Sequence, residues 1–432
     1  MPDLSISFAG IQSPNPFWLA SGPPSNRGEQ VARAFDHGWG GAVWKTIPHE
    51  RDEIVNVSSR LAGIRGREGQ LVGISNLELI SDRPLAENLA EIAEIKRLYP
   101  NHPLIASVST GARAQWIELL RQCEEAGADG FELNFSCPHG LCERGQGSAV
   151  GQDEGAIATI TGWVKEATRK PVIVKLTPNV ADIVPPGRAA MRAGADGLAL
   201  INTIQSIAGV DLDRCVPYPI VGGRSSHGGL AGGVVKPVAL QMVAALARDP
   251  QIELPISGIG GASSWCDCAE FMLLGATSVQ VCTAVMLGGF GIVQEMIEGL
   301  SGWMEEKGFA SCGDFIGKAV PNFVPWTELD LSYRVRARID PERCIDCRRC
   351  VIACRDGGHQ AIHPPEMGDV PAGASSSAPA SSSAHAPPSP PAGADLAQRR
   401  PRVDDAKCVG CNLCSLVCPV PDCIRMEPVA GN

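Results

Sequence analysis

Seventeen cysteines occupy this chain of 432 residues, and eight of them fall in two runs of the same spacing. The runs are Cys344-x2-Cys347-x2-Cys350-x3-Cys354 and Cys408-x2-Cys411-x2-Cys414-x3-Cys418-Pro419. Three thiolates on one tight loop match three irons of a cubane, and at this spacing the fourth thiolate of each run ligates the other cluster. One [4Fe–4S] cluster is therefore assigned to Cys344, Cys347, Cys350 and Cys418, and the other to Cys408, Cys411, Cys414 and Cys354. The competing chemistry is a zinc ribbon, which uses two Cys-x2-Cys pairs rather than two quadruplets. Arg355 follows Cys354 where Pro419 follows Cys418, a local departure. Cys423 is left over and is read as a packing thiol. Clusters move single electrons, so a domain joined to them needs a cofactor that turns one-electron supply into two-electron chemistry, and flavin is the usual one.

Composition narrows the setting. Acidic residues outnumber basic ones by 47 to 37, a formal net charge of −10 that is the wrong balance for nucleic acid. Apolar residues make up 44%, which excludes global disorder. No apolar run approaches the length of about 18 residues that a membrane span needs, and Met1-Pro2-Asp3-Leu4-Ser5 has no signal-peptide character. A cytoplasmic protein with no membrane span is expected. Thiols stay reduced there, so metal or catalysis rather than disulfides must explain many of the cysteines.

The elements that must position this chemistry repeat one pattern over about the first 300 residues, a short apolar run followed by a helical stretch ending at glycine. Candidate strands are Pro16–Ala20, Gly41–Lys45, Leu104–Val108, Gly130–Asn134, Val172–Lys175, Gly197–Ile201, Pro255–Gly258 and Ser278–Val281. Helical patterns between them include Gly111–Glu125, Gly155–Thr168, Lys236–Arg248 and Ser263–Leu274. A glycine return recurs before three strands, in Ala126-Gly127-Ala128, Ala193-Gly194-Ala195 and Gly275-Ala276-Thr277. Eight βα units without a Gly-x-Gly-x-x-Gly turn predict an α/β fold of the (β/α)8 TIM-barrel type, not a doubly wound sheet. The barrel is expected over 1–325 and a two-cluster ferredoxin-like domain over 326–432. Within the latter, Pro364–Pro401 is dominated by Pro, Ala, Ser and Gly and is read as a flexible insertion.

Polar residues at the C-terminal ends of barrel strands face the active site. Lys45, Asn134 and Lys175 end strands two, four and five, and Asn202-Thr203 follow strand six. Gly258-Ile259-Gly260-Gly261 after strand seven, Cys282-Thr283 after strand eight and the glycine-rich Gly229–Gly233 are placed to bind a phosphate through backbone N–H groups. Together these describe a flavin mononucleotide (FMN) site. Phe135-Ser136-Cys137-Pro138-His139-Gly140 puts a thiol at the same mouth. A thiol with an ordinary pKa of about 8.5 donates a proton to carbon while flavin delivers hydride to the other face. Cys142 lies farther from the strand end, and Cys123, Cys215, Cys266, Cys268 and Cys312 are read as core or surface thiols.

The motifs Asn15-Pro16-Phe17, Ala20-Ser21-Gly22-Pro23-Pro24, Lys45-Thr46, Ser75-Asn76-Leu77-Glu78, Glu132-Leu133-Asn134-Phe135-Ser136-Cys137-Pro138, Lys175-Leu176-Thr177-Pro178-Asn179, Asn202-Thr203 and Gln280-Val281-Cys282-Thr283 resemble the dihydropyrimidine dehydrogenase family. The likeness is to its bacterial catalytic subunit, a relative of dihydroorotate dehydrogenase with a ferredoxin tail. It implies FMN-dependent reduction of the 5,6 double bond of uracil or thymine. By that likeness Asn76, Glu78, Asn134, Ser136, Asn202 and Thr203 contact the pyrimidine, and Cys137 protonates its C5. Ala20, Ser21, Lys45, Thr46, Asn134, Lys175, Asn202, Gly232, Gly258, Gly260, Cys282 and Thr283 would hold FMN. The chain has no Rossmann fingerprint, so electrons are expected from a partner subunit carrying FAD and binding NAD(P)H, in a homodimer or heterotetramer. A dihydroorotate dehydrogenase is the alternative enzyme, and Glu78 is expected to repel the orotate carboxylate. A ferredoxin-like electron carrier or redox sensor is the alternative of another class.

Overall fold

The computed structural model describes residues 2–138, 140–364 and 400–429. The chain divides into two compact units, Met1–Phe323 and Val324–Asn432. His139 and all but the edges of the proposed insertion lie outside the described residues.

In the first unit eight strands close into a parallel barrel in chain order. They are β1 (Phe17–Leu19), β2 (Gly41–Pro48), β3 (Leu104–Ser109), β4 (Gly130–Asn134), β5 (Val172–Lys175), β6 (Gly197–Leu200), β7 (Ile256–Ile259) and β8 (Ala276–Val281). The ring closes where Val279, Gln280 and Val281 of β8 pair with Phe17, Trp18 and Leu19 of β1. Helices cover one face of each strand and the barrel interior covers the other, so β2 to β7 have no exposed residue. Trp18, Trp44, Phe131 and Phe17 are fully buried. Each such side chain contributes on the order of 1.5–3 kcal/mol of hydrophobic stabilisation.

The glycine returns do what their repetition implies. Gly127, Gly194 and Gly275 have φ of 94°, 93° and 106°, a left-handed conformation that any side chain would strain. After two of them an aspartate ties adjacent units together. Asp129 accepts the Leu104 N–H at 2.8 Å and pairs with Lys96 at 2.7 Å, and Asp196 repeats this with Val172 at 2.7 Å and Lys165 at 2.6 Å. An N-terminal hairpin, Ile6–Phe8 with Ile11–Ser13, packs against the starts of the strands: the ring of Phe8 stands edge-on to Trp18, and a Cβ at Gly197 would lie 3.2 Å from it. That end is filled, which leaves the C-terminal end for a site.

Three details differ from the sequence reading. Strand β2 runs past Lys45 to Pro48, with a register shift against β3 between Trp44 and Ile47, so Lys45 and Thr46 sit at an irregularity instead of a strand end. Strand β7 extends through Gly258 to Ile259. A four-stranded antiparallel sheet, unforeseen in the sequence, is built from Ile204–Ser206, Gly228–Ala231, Leu71–Asn76 and Leu61–Arg65 in that order. Gly228–Ala231 is thus a strand, and only Gly232-Gly233 remain of the expected glycine loop.

The second unit is a pseudo-symmetric pair of cysteine loops. Val335–Ile339 pairs with Ile424–Pro428, Ile362–His363 pairs with Arg402–Val403, and helices Arg349–Gly357 and Leu413–Leu416 carry the third cysteine of each run. Its buried core has nine residues, four of them cysteines. Among the described residues no helix is long and apolar enough to cross a membrane.

Candidate active site and cluster sites

A cavity of about 630 Å³ opens at the C-terminal mouth of the barrel, within the range of about 300–1,000 Å³ usual for cofactor and small-molecule sites. Ala20, Ser21, Lys45, Thr46, Asn76, Glu78, Asn134, Cys137, Lys175, Asn202, Thr203, Gly232, Gly260, Cys282 and Thr283 all line it. These residues come from seven of the eight barrel strands or the loops after them, and from the antiparallel sheet.

Two residues named from the sequence do not line the cavity. Gly258 is inside β7, where a Cβ would meet the ring of Phe271 at 2.6 Å, so it serves packing against the helix Trp265–Leu273. Ser136 is fully buried behind the wall. Its hydroxyl donates to Asn134 Oδ1 at 2.8 Å and accepts from Asn202 Nδ2 at 2.9 Å. Ser136 therefore fixes which way both amides point. Asn202 Oδ1 in turn accepts the Thr203 N–H at 2.8 Å. On the other side Asn134 Nδ2 donates to Thr46 Oγ1 at 2.9 Å, and Thr46 shares hydrogen bonds with Ser21 at 3.1 Å and Ser107 at 2.8 Å. A web of amides and hydroxyls spans five strands or the loops after them.

The charges are paired as well. Lys45 hydrogen-bonds Glu78, and Arg60 lies 3.4 Å from the same carboxylate. With two cations beside it Glu78 is compensated, so the expected repulsion of an anionic ligand does not follow from this residue. Lys175 lies 3.4 Å from Glu132, which is wholly buried inside the barrel. Gln280 donates to Glu132 at 3.2 Å and to Ser257 at 3.2 Å. Glu132 and Gln280 were missed as site residues because nothing in their sequence context marks an inward-facing strand position as polar by design.

The residues fit a flavin nucleotide. Gln280 lines the cavity, and its Oε1 is buried without a hydrogen-bond partner, an acceptor suited to a ring N–H. Gly232 and Gly261 have φ of 94° and 84°, and a Cβ on Gly261 would lie 2.9 Å from the Gly232 carbonyl, so their bare backbones form a close-walled cradle. Ser263 extends it. Asp267 accepts from the Ser263 N–H and hydroxyl at 2.9 Å each and pairs with Lys236 at 2.5 Å, anchoring this loop to the helix Lys236–Arg248. Burial pushes the Cys282 thiol up to about 11, so it lines the cavity as a neutral group.

Cys137 is 7% exposed. Its loop is held by the Ser148 N–H on the Cys137 carbonyl at 2.9 Å and by His227 against the Pro138 carbonyl at 3.0 Å. Ile54, Ile80 and Leu141 pack around the thiol. Cys142 points elsewhere, donating to the Pro138 carbonyl at 3.1 Å.

In the second unit the cysteines gather across the two runs. Cys354 shares one small cavity with Cys408, Cys411 and Cys414, and Cys418 shares the other with Cys344, Cys347 and Cys350. Four sulfurs per cavity, three from one loop, are the donor set of a [4Fe–4S] cluster. Four arginines around the first run are paired: Arg336 and Arg338 with Asp405, Arg343 with Asp340 and Asp422, Arg348 with Asp346. His49, Glu50 and Glu118 also bring ligand-type atoms within 4.8 Å of one another. However, the Arg51 N–H donates to His49 Nδ1 at 3.2 Å, which leaves the ring proton on Nε2 to donate to Glu118 at 3.2 Å. Both nitrogens are committed, and the group anchors the segment after β2.

A parallel barrel with a flavin-type cavity, joined to a unit built on two cluster loops, defines an oxidoreductase that couples one-electron carriers to two-electron chemistry. The dihydroorotate dehydrogenase family model matches residues 3–304 and the 4Fe-4S dicluster domain model matches residues 343–422, so the chain belongs to the dihydroorotate dehydrogenase family with an appended dicluster domain. It is 44% identical over 362 residues to the NAD-dependent dihydropyrimidine dehydrogenase subunit PreA of Escherichia coli (strain K12), covering 83% of this chain and 87% of the relative. The chloroplastic dihydropyrimidine dehydrogenase (NADP(+)) of Arabidopsis thaliana is 40% identical over 338 residues, 76% of this chain and 79% of the relative. The catalytic subunit of dihydroorotate dehydrogenase B (NAD(+)) of Pyrococcus abyssi is 37% identical over 323 residues, 73% and 99% respectively. Fold and relatives together make the chain a catalytic subunit of the dihydropyrimidine dehydrogenase type, an FMN and iron–sulfur oxidoreductase.

Proposed function

We propose that this chain reduces the 5,6 double bond of uracil or thymine, using FMN in the barrel and two [4Fe–4S] clusters in the second unit. The observation that carries the reading is one cavity lined by Asn76, Asn134, Asn202, Thr203 and the Cys137 thiol. A pyrimidine presents alternating C=O and N–H groups in a plane, and amide and hydroxyl side chains match both kinds. Ser21, Lys45, Lys175, Gly232, Gly260, Gln280, Cys282 and Thr283 would hold FMN, which when bound would supply hydride for C6. The protein supplies the rest. Asn134 and Asn202, oriented through Ser136, hold the ring so that C5 faces Cys137. Cys137 Sγ–H gives its proton to C5 as general acid, worth about 10²–10⁴ in rate. Ile54, Ile80 and Leu141 keep water from the thiol. The Lys175 ammonium, held in place by Glu132, stabilises negative charge on the reduced ring.

Cys344, Cys347, Cys350 and Cys418 hold one cluster, and Cys408, Cys411, Cys414 and Cys354 the other. Electrons reach them from a partner subunit carrying FAD and binding NAD(P)H. The E. coli relative is named as an NAD-dependent subunit, which supports a separate donor. One observation favours a second reading, oxidation of dihydroorotate or its reverse: the P. abyssi relative bears that name, although Lys45 and Arg60 are matched by Glu78 and Asp82 and leave no cationic margin.

The test is anaerobic. The cluster-intact protein is reduced, uracil and orotate are added separately, and flavin reoxidation is followed with product analysis. Reoxidation by uracil with dihydrouracil formed is the expected result. Reoxidation by orotate alone transfers the assignment to dihydroorotate chemistry, and no response to either with FMN bound rejects both.

A further inference from the structure

The two cluster cavities are not equivalent. The first is lined by five thiols, Cys423 joining Cys344, Cys347, Cys350 and Cys418, whereas the second is lined by four. Cys423 is 2% exposed and sits in the buried core against which Cys344 and Cys418 pack, and its Sγ lies 4.0 Å from the Asp340 carbonyl. Its backbone is fixed: its carbonyl accepts the Asp340 N–H at 2.7 Å, its N–H reaches the Val420 carbonyl at 3.3 Å, and the strand Ile424–Pro428 begins at the next residue. Cys423 stands five residues beyond Cys418. The position five beyond Cys354 is His359, which lines the second cavity but is exposed. The dicluster domain match ends at residue 422, one short of Cys423.

A thiol that merely packs needs only apolar neighbours. This one faces the cavity of the four cysteines assigned to the first cluster, in the core against which Cys418, the ligand from the other run, is packed. We propose that Cys423 is a reserve ligand of the first [4Fe–4S] cluster, a role that rests on the assignment of Cys344, Cys347, Cys350 and Cys418 as its resident ligands. When the Cys418 sulfur leaves its iron, Cys423 takes the vacated position. One Fe–S bond breaks and one forms, the Cys418 thiolate takes up a proton as the Cys423 thiol releases one, and no electron moves. The second cluster has no such buried thiol and lacks this protection.

The experiment measures iron, acid-labile sulfide and the electron paramagnetic resonance of the reduced full-length chain, purified anaerobically. The wild type should carry about eight iron atoms. Cys418→Ala is expected to keep about eight, and Cys418→Ala with Cys423→Ala to fall to about four, as does Cys347→Ala, an exposed residue outside the buried core that holds Cys423. A fall to about four in Cys418→Ala alone overturns the proposal, as does full retention in the double variant or in Cys347→Ala. A wild type without iron overturns the ligand assignment itself, a result distinguishable from a full wild type with a depleted variant. Should Cys418→Ala fail to fold, Cys423→Ala alone decides: iron loss to a chelator has two phases, one of which should speed up several-fold, and an unchanged profile overturns the proposal.

Discussion

The barrel mouth and the cluster unit solve the same problem, holding polar or reactive groups out of water, in opposite ways. At the mouth the partners are remote in sequence: Asn134 reaches Thr46 across 88 residues, Asn202 reaches Ser136 across 66, and Gln280 reaches Glu132 across 148. These groups hold one another in place within the barrel, with Gln280 Oε1 left over for a ligand. In the second unit the ligands come three to a loop, and three of its nine core residues, Cys350, Cys354 and Cys414, are ligands themselves. There the prosthetic group replaces a hydrophobic core. The first site is positioned by its fold, and the second fold is positioned by its site.

The largest effect should come from removing iron. Because ligation energy is folding energy in so small a unit, iron removal should leave the backbone amides of 324–364 and 400–429 unprotected in hydrogen exchange while the barrel strands keep their protection. Persistent protection in both units would break the comparison. Next in size is Cys137→Ala, expected to lower turnover by about 10²–10⁴ while FMN and iron contents stay at wild-type levels. Glu132→Gln should cost on the order of 3 kcal/mol of barrel stability in denaturant titrations, since it leaves the buried Lys175 ammonium without its counter-charge. The FMN potential should rise in the same variant, because the lysine charge is no longer offset. Ser136→Ala removes the bridge between Asn134 and Asn202 and should raise KM about tenfold, about 1.4 kcal/mol, with little change in stability.

A pH dependence is expected of the barrel as well. Burial pushes the Cys123 and Cys312 thiols up to about 12 from an ordinary 9.0. Their folded-state pKa is raised, so their contribution is fully present below pH 9 and is lost as the pH climbs toward 12. Each costs about 1.4 kcal/mol per pH unit in that window. Denaturation midpoints of the iron-free protein at pH 8 and 10 should differ, and Cys123→Ala should flatten the slope.

Much of this was legible in the residues. Eight apolar runs and three glycine returns foretold the barrel, because a strand buried on both faces must be apolar and a left-handed return must be glycine. Lys175 and Asn134 were identifiable because they end such runs. Ser136 was named as a contact, but it stands behind the wall, and Gly258 packs against Phe271 instead of a phosphate. The antiparallel sheet across the mouth went unseen, since its strands at 61–76 and 204–231 find partners only in each other.

By itself the sequence determined the chemistry that depends on local spacing. Two identical cysteine runs dictate two clusters because a loop of a few residues fixes where its sulfurs fall, whatever surrounds it. The tertiary structure alone decided what depends on ring closure and on inward or outward direction: that Glu132 meets Lys175, that Lys45 and Arg60 neutralise Glu78, and that a fifth thiol joins the first cavity but not the second. Those contacts join residues from different strands and loops, and no spacing along the chain encodes the distance between them.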